Sequence, residues 1–171
     1  MTSESPAQQT FRLAMRRFAS AVTVVSVRSG QERHGTTATA VTSISMDPPS
    51  LLVCFNRESR LHGFLSKESR FCVNLLHTDN CEISRSFASP MSADERFASG
   101  DWRDRDGIPY LANAQANFFC SKNQEISYGS HTVFMARDAD VFFREEVDPL
   151  LYGDGAYAKA VNLQPQATTQ A

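Results

Sequence analysis

Residues 35–59 read GTTATAVTSISMDPPSLLVCFNRES. The first eleven are almost all Thr, Ala, Ser and Val; an Asp-Pro-Pro break follows, then an apolar run, then a polar hook. On a strand, alternate side chains face opposite ways. One face of 35–45 then carries Thr36, Ala38, Ala40, Thr42 and Ile44, and the other carries Thr37, Thr39, Val41, Ser43 and Ser45. Asp47-Pro48-Pro49 must end that strand, because proline has no amide to give a ladder and fixes its own backbone angle. Residues 51–55 are apolar throughout, the pattern of a short buried strand.

Working outward, Ser5-Pro6-Ala7-Gln8 is a helix start with Ser as cap and Gln three residues on. Phe11, Met15 and Phe18 recur at helical spacing, which predicts a helix over 6–18 with one apolar face. Residues 21–29 have strand composition, and 30–35 turn the chain. Beyond the hook, 58–68 reads as a helix with Leu61, Phe64 and Leu65 inward, and 71–76 as a strand. Residues 78–88 and 92–98 read as helices. A loop is expected over 102–109, followed by strands at 114–121, 131–136, 140–144 and 150–152. The polar tail from Asn162 is expected to fray. Seven or so short strands, few helices and no βαβ alternation predict a mainly β fold with flanking helices (α+β), an antiparallel barrel in a single domain.

Composition narrows the class of function. The chain has 171 residues, 42% hydrophobic and 21% charged, with a net charge of -2. That balance suits a globular core and leaves no basic footprint for nucleic acid. No apolar run approaches the roughly 18–20 residues of a membrane-spanning helix. MTSESPAQQT lacks the basic-then-apolar pattern of a signal peptide, so a cytoplasmic protein is expected. The four cysteines form no CxxC pair, and Cys54 and Cys72 sit in apolar runs as small hydrophobes. The four histidines show no HxxxH or HExxH spacing, so no metal site is expected.

Other familiar chemistry is also missing. There is no GxGxxG, no GxxxxGK[ST] and no GxSxG. Residues 101–107, DWRDRDG, resemble a calcium loop only until the register is counted, since Trp102 would hold position one and Asn113 position twelve. A solvated loop is the expectation there.

What remains is quieter. Short side chains on both faces of 35–45 let a flat ligand approach the backbone, with hydroxyls to bond its polar edge. Strand propensity in a crowded barrel corner explains the same residues. The hook Asn56-Arg57-Glu58-Ser59-Arg60 opens a helix, where free amides, Ser59 and Arg57 form a phosphate cradle. Plain capping by Asn56 or Ser59 accounts for it equally. His131 stands at the mouth of an apolar strand, as a ligand contact or as a surface residue. The residues alone leave these pairs open.

Together, however, GTTATAVTSISMDPPSLLVCFN, RFCVNLL, DERFASGDW and GSHTVFMA, in this order and spacing, resemble the short-chain flavin reductase family, which includes the small reductase components of two-component flavin monooxygenases. The resemblance runs over residues 11–157. It implies a Greek-key split barrel of the FMN-binding type. It also implies an NAD(P)H-dependent enzyme that reduces free FMN or FAD, with NADH or NADPH as donor, for a separate monooxygenase. By the same resemblance, Thr37, Ala38, Thr39, Ala40, Val41, Thr42 and Ser43 line the isoalloxazine ring. Asn56, Arg57 and Ser59 hold the ribityl phosphate, and His131 lies near the nicotinamide or the ring. A homodimer is implied, because relatives complete the cleft from a second subunit. A non-catalytic flavin binder, or an oxidase of the same barrel that keeps its flavin, are the alternatives. Two places depart from the family pattern: Arg137-Asp138 replaces an acidic-then-apolar pair, and Gly153-Asp154-Gly155 stands where relatives have an aromatic and an arginine.

Overall fold

The computed structural model describes residues 4–163, apart from the side chains of Asp138 and Ala139. From residue 164 on, the predicted tail lies outside the described residues. Helix α1 (Pro6–Met15) starts as the sequence predicts. The Ser5 hydroxyl accepts from the Gln8 amide, and the Gln8 side chain accepts from the Ser5 N–H. It ends three residues earlier than expected, and its apolar face is uncovered: Phe11 is 68% exposed, and Phe18, just beyond the helix, 65%.

The chain continues through β1 (Ser20–Ala21), β2 (Thr23–Ser29), β3 (Glu32–Ala38), β4 (Val41–Met46) and β5 (Pro49–Asn56). Helix α2 (Arg60–Lys67) and β6 (Arg70–Leu75) follow, then a 3-10 turn, α3 (Cys81–Ala88) and α4 (Ala93–Phe97). The rest is strand: β7 (Trp102–Arg105), β8 (Ile108–Leu111), β9 (Ala116–Tyr128), β10 (His131–Phe143), β11 (Leu150–Gly153) and β12 (Ala156–Lys159).

Seven strands form one sheet in the order β3-β2-β6-β9-β10-β5-β4, with every pairing antiparallel. Its two border strands, β3 and β4, are consecutive in the chain. Two residues, Thr39 and Ala40, carry the backbone from one border to the other and roll the sheet into a barrel. The single strand expected over 35–45 is therefore two. A barrel of few strands must turn corners, and the short side chains at 38–40 permit the bend. The bend is fastened by the Cys54 amide, which donates to the Ala40 carbonyl at 3.1 Å. In β4 the register to β5 slips between Ser43 and Ser45, so the strand is irregular at Ile44.

Helix α2 makes the long crossover. It leaves β5 beside β10 and returns as β6 between β2 and β9, which is the Greek-key element of the fold. Leu61 and Leu65 bury into the main core with Val25, Val53, Phe71 and Phe134.

Other departures from the sequence reading have local causes. The expected loop over 102–109 is the β7–β8 hairpin, turned by Asp106-Gly107 with φ of 49° and 83°. Asp154-Gly155, with φ of 48° and 85°, turns β11 into β12 in the same way. Both are two-residue turns of the kind Asp-Gly favours. The strands expected at 131–136 and 140–144 are one, β10, whose backbone register to β9 shifts between Asp138 and Asp140. The Arg137-Asp138 departure thus sits within a continuous strand, with Arg137 paired to Ser50 and Ser121.

Buried polar bonds tie the β7–β8 hairpin to the barrel. Asn74 is fully buried and donates to the Val24 carbonyl (2.8 Å) and the Ser26 hydroxyl (2.9 Å). Its oxygen accepts from the Leu111 amide (2.8 Å) and the Asn117 side chain (2.9 Å). Such a network is stable only when every member is satisfied, and Asn74 uses both ends of its amide.

Candidate functional site

The DERFASGDW stretch builds one wall of the region of interest. Ser92 caps α4 reciprocally with Glu95, whose carboxyl is held below its usual range by hydrogen bonds from the Ser92 hydroxyl and amide. Arg96 reaches back to the carbonyls of Gly35 (2.9 Å) and Ser89 (2.6 Å). Phe87, Phe97 and Trp102 pack edge-on and tilted at centroid distances of 4.7–5.0 Å. Gly35 fits under Phe87 because it has no Cβ; one added there would lie 2.7 Å from the ring. These contacts fix α3 and α4 against β3 just before the small-residue bend.

The bend divides the stretch 37–43 between two clefts. Thr37, Ala38 and Thr39 line a cleft of about 250 Å³ together with Ser84, Tyr152 and Tyr157. Val41, Thr42 and Ser43 line another of about 420 Å³, whose remaining wall is largely apolar, with Leu51, Val73 and Phe118. Thr39 and Ala40 at the bend itself are exposed, as are Thr42 and Ser43. Ala38 is buried, and its carbonyl accepts from the Thr23 hydroxyl at 2.7 Å. A surface of short side chains and carbonyl edges thus faces outward at one seam of the barrel.

The polar hook lies at the far end of β5, two residues beyond the Cys54 that fastens Ala40. Asn56 accepts from the Glu58 amide through its side chain (2.9 Å) and from the Ser59 amide through its carbonyl (3.0 Å). Ser59 caps α2, accepting from the His62 amide at 3.2 Å. The Arg57 amide donates to the Ser130 carbonyl (2.9 Å), and its side chain is exposed. Asn56 and Ser59 therefore do the capping that one reading of the sequence expects. The Arg57 guanidinium remains outside that local network.

His131 is directly opposite Asn56 in the β5–β10 register. It is exposed, and its Nδ1 lies 2.9 Å from the Ser130 hydroxyl. One residue along β10, Thr132 is buried and its hydroxyl meets the His62 Nε2 at 3.0 Å and the Ser127 hydroxyl at 3.3 Å. That small network locks the start of α2 to the start of β10, so Asn56, Arg57 and His131 share a rigid base. Burial pushes the Cys54 thiol up, which keeps it protonated and removes it as a nucleophile.

The structure thus gathers Asn56, Arg57, Ser59 and His131 at one end of the barrel, next to the Thr39-Ala40 bend. It does not bring Thr37–Ser43 to a single surface. It adds residues that the sequence reading passed over: Tyr152 and Tyr157, stacked edge-on at 5.5 Å, with the Tyr157 hydroxyl donating to Ser84 at 2.8 Å. Their signal was present as Tyr-Gly-Asp-Gly-Ala-Tyr, two aromatics flanking an Asp-Gly turn. In the same turn, Asp154 pairs with Arg16 (3.3 Å) and Arg17 (3.5 Å), which docks the end of α1. Among the described residues, no group of three or more His, Cys, Asp or Glu side chains converges as a metal site. No helix among them is long and apolar enough to cross a membrane.

Residues 15–160 match the profile of the flavin reductase like domain. The chain is 43% identical over 155 residues to the reductase component of the FADH(2)-dependent resorcinol hydroxylase of a Rhizobium species, covering 89% of this chain and 87% of that one. It is 36% identical to the 4-hydroxyphenylacetate 3-monooxygenase reductase component of Pseudomonas aeruginosa, over 89% of this chain and 91% of that one. In three dimensions it is similar to the Streptomyces globisporus C-1027 NADH:FAD oxidoreductase, solved in complex with NAD and FAD fragments. That match has a TM-score of 0.85 at 26% identity and covers 98% of this chain and 99% of that one.

Proposed function

The chain belongs to the flavin reductase like domain family and is an NAD(P)H-dependent flavin reductase, and on that premise we propose how its residues divide the work. The flavin ring lies over the exposed Thr39-Ala40 bend, flanked by Thr37 and Ala38 on one side and by Val41, Thr42 and Ser43 on the other. Its phosphate sits on the α2 start with Arg57, Ser59 and Asn56. His131 lies beside the ring, on the nicotinamide side. The observation that supports this most is the convergence at one barrel end of an exposed, small-residue bend, an exposed Arg57 with no carboxylate partner among the described residues, and an exposed His131.

The residues present fit a flavin. Short side chains at an exposed bend admit a flat ring, and carbonyls and hydroxyls face its polar edge. The capped helix start offers partial positive charge to a phosphate. Bound flavin supplies a two-electron acceptor and reduced nicotinamide the hydride, so the protein needs no nucleophile of its own. Its task is to hold two rings in register and keep water from between them. The Thr132–His62–Ser127 network serves that task by fixing the base from which His131 projects. Exposure of the seam suits a flavin that leaves after each turnover.

Reduced flavin then passes to a separate monooxygenase component, a reading supported by relatives named as reductase components of an FADH(2)-dependent hydroxylase and of a monooxygenase. We further infer a homodimer working in the cytoplasm as a single catalytic domain. The uncovered apolar side chains of α1, of Phe18 after it and of the β4 border, Phe11 and Met46 among them, support the dimer.

The test is purification followed by spectrophotometry. A colourless preparation that oxidises NADH only when FMN or FAD is added supports the reductase. A protein that stays yellow through dialysis and oxidises no NADH would replace this reading with a flavin store. Oxygen consumption by a tightly held flavin would replace it with an oxidase of the same barrel.

A further inference from the structure

A third concave region lies between the β2–β3 turn, α2 and the start of α4, with a volume of about 590 Å³. Three guanidinium side chains line it from three different elements: Arg28, Arg33 and Arg60. Arg28 is committed to Asp104 at 2.6 Å. Arg33 and Arg60 form no ion pair among the described residues; the Arg33 guanidinium rests 4.5 Å over the Phe97 ring.

His34 also lines this cavity. Its imidazole is only 5% exposed, stacks on Phe64 at 5.0 Å, and makes no hydrogen bond to any described residue. Behind it, Arg96 holds two backbone carbonyls, while its Nε is buried without a partner among the described residues. Two exposed carboxylates, Glu32 and Asp94, belong to the same lining, and Lys67 stands in the adjoining groove with Arg60. The carboxylates do not offset the guanidiniums at the imidazole. His34 is held down to about 4 by burial first, then by Arg96 and by Arg60. An imidazole held neutral by burial and by Arg96 and Arg60 disfavours further positive charge beside it and favours an anion.

We propose that this cavity is a phosphoanion subsite that takes the phosphate or pyrophosphate group of a nucleotide, gripped by Arg33 and Arg60, with His34 as the donor at its floor. Guanidinium groups suit the task because their planar forks meet phosphate oxygens in pairs. The assignment of a source rests on the proposed flavin site. Arg60 directly follows Ser59, so a phosphate chain longer than that of FMN runs from one site into the other. The nicotinamide nucleotide carries the same chemistry and is the other source.

Inorganic pyrophosphate is the probe. Titrated calorimetrically into the full-length protein, it is expected to bind, and Arg33→Gln and Arg60→Gln are each expected to weaken it about tenfold. Arg60 is exposed, while Arg33 is half-buried and covers Phe97, so a thermal melt of each variant is read beside its binding, and Arg60→Gln carries the test should Arg33→Gln lose the fold. The His34 ring proton, followed by NMR, is expected to titrate at higher pH when pyrophosphate is present. In turnover, competition against FAD but not FMN assigns the site to the flavin pyrophosphate. Competition against NADH or NADPH assigns it to the nicotinamide nucleotide. Pyrophosphate that gives no heat, competes with no nucleotide, or leaves the His34 titration where it was overturns the proposal. Reduction of FMN by NADH in the same preparation tests the flavin site separately, so loss of one reading is told apart from loss of the other.

Discussion

At the scale of single residues, two histidines have opposite surroundings. His131 is exposed and projects from a locked base, so its replacement removes a contact without disturbing packing. His131→Ala is expected to slow NADH-driven reduction about tenfold or more while changing flavin affinity less, as read from stopped-flow reduction against flavin titration. Arg57→Gln is expected to do the reverse, raising the dissociation constant for FMN about tenfold and that for riboflavin little, since only FMN carries the phosphate. His34 is buried and neutral, with a folded value near 4 against an ordinary 6.5. Between those values the unfolded chain takes up a proton that the native state refuses. Stability is therefore full above about pH 6.5 and falls as the pH drops toward 4, by roughly 3 kcal/mol from this group. Thermal melts from pH 7.5 to 4.5 measure it, and His34→Gln should flatten that dependence. The parts given to His131 and Arg57 came from the family resemblance, whereas the buried, neutral state of His34 was not visible in the sequence, because it depends on which neighbours the fold supplies.

At the scale of elements, the sequence was most legible where local chemistry decides. The Ser5 cap, the proline break before β5, the Ser59 start of α2 and the apolar β6 all sit within a few residues of their predicted places. Asp106-Gly107 and Asp154-Gly155 were equally local signals; the first was read as part of a loop and the second only as a departure from the family pattern, which left two hairpins unrecognised. The division of 35–45 into β3 and β4 was not legible, since nothing in its Thr, Ala and Ser alternation marks a corner. Closure of the barrel imposes it. The packing of α3 on β3 yields a direct prediction. Gly35→Ala places a methyl 2.7 Å from Phe87 in a closed aromatic cluster, and is expected to cost about 1–3 kcal/mol in chemical denaturation. Asn74→Ala strands the Leu111 amide and one of the two bonds of the Asn117 NH2, which keeps the Leu111 carbonyl, and is expected to cost about 3 kcal/mol.

At the scale of the whole molecule, the family resemblance carried more than the periodicities did. Motif order along the chain reported the barrel, the reductase activity and its cofactors, whereas composition supplied only a globular class. It could not report the two-cleft shape of the seam or the tyrosines beside it, which depend on how β11 and β12 dock. The apolar side chains left uncovered on α1 and β4 lead to a final expectation: the protein sediments at twice its chain mass, and Ile44→Asp with Met46→Asp shifts it toward one chain. How such copies meet is constrained by the kink at Ile44. A hem of backbone broken there, and ending at two imino acids that have no hydrogen to lend, offers a neighbour too short a run to stitch onto. Association along this margin must then proceed by grease against grease, which favours closed, countable assemblies over fibres that grow without limit.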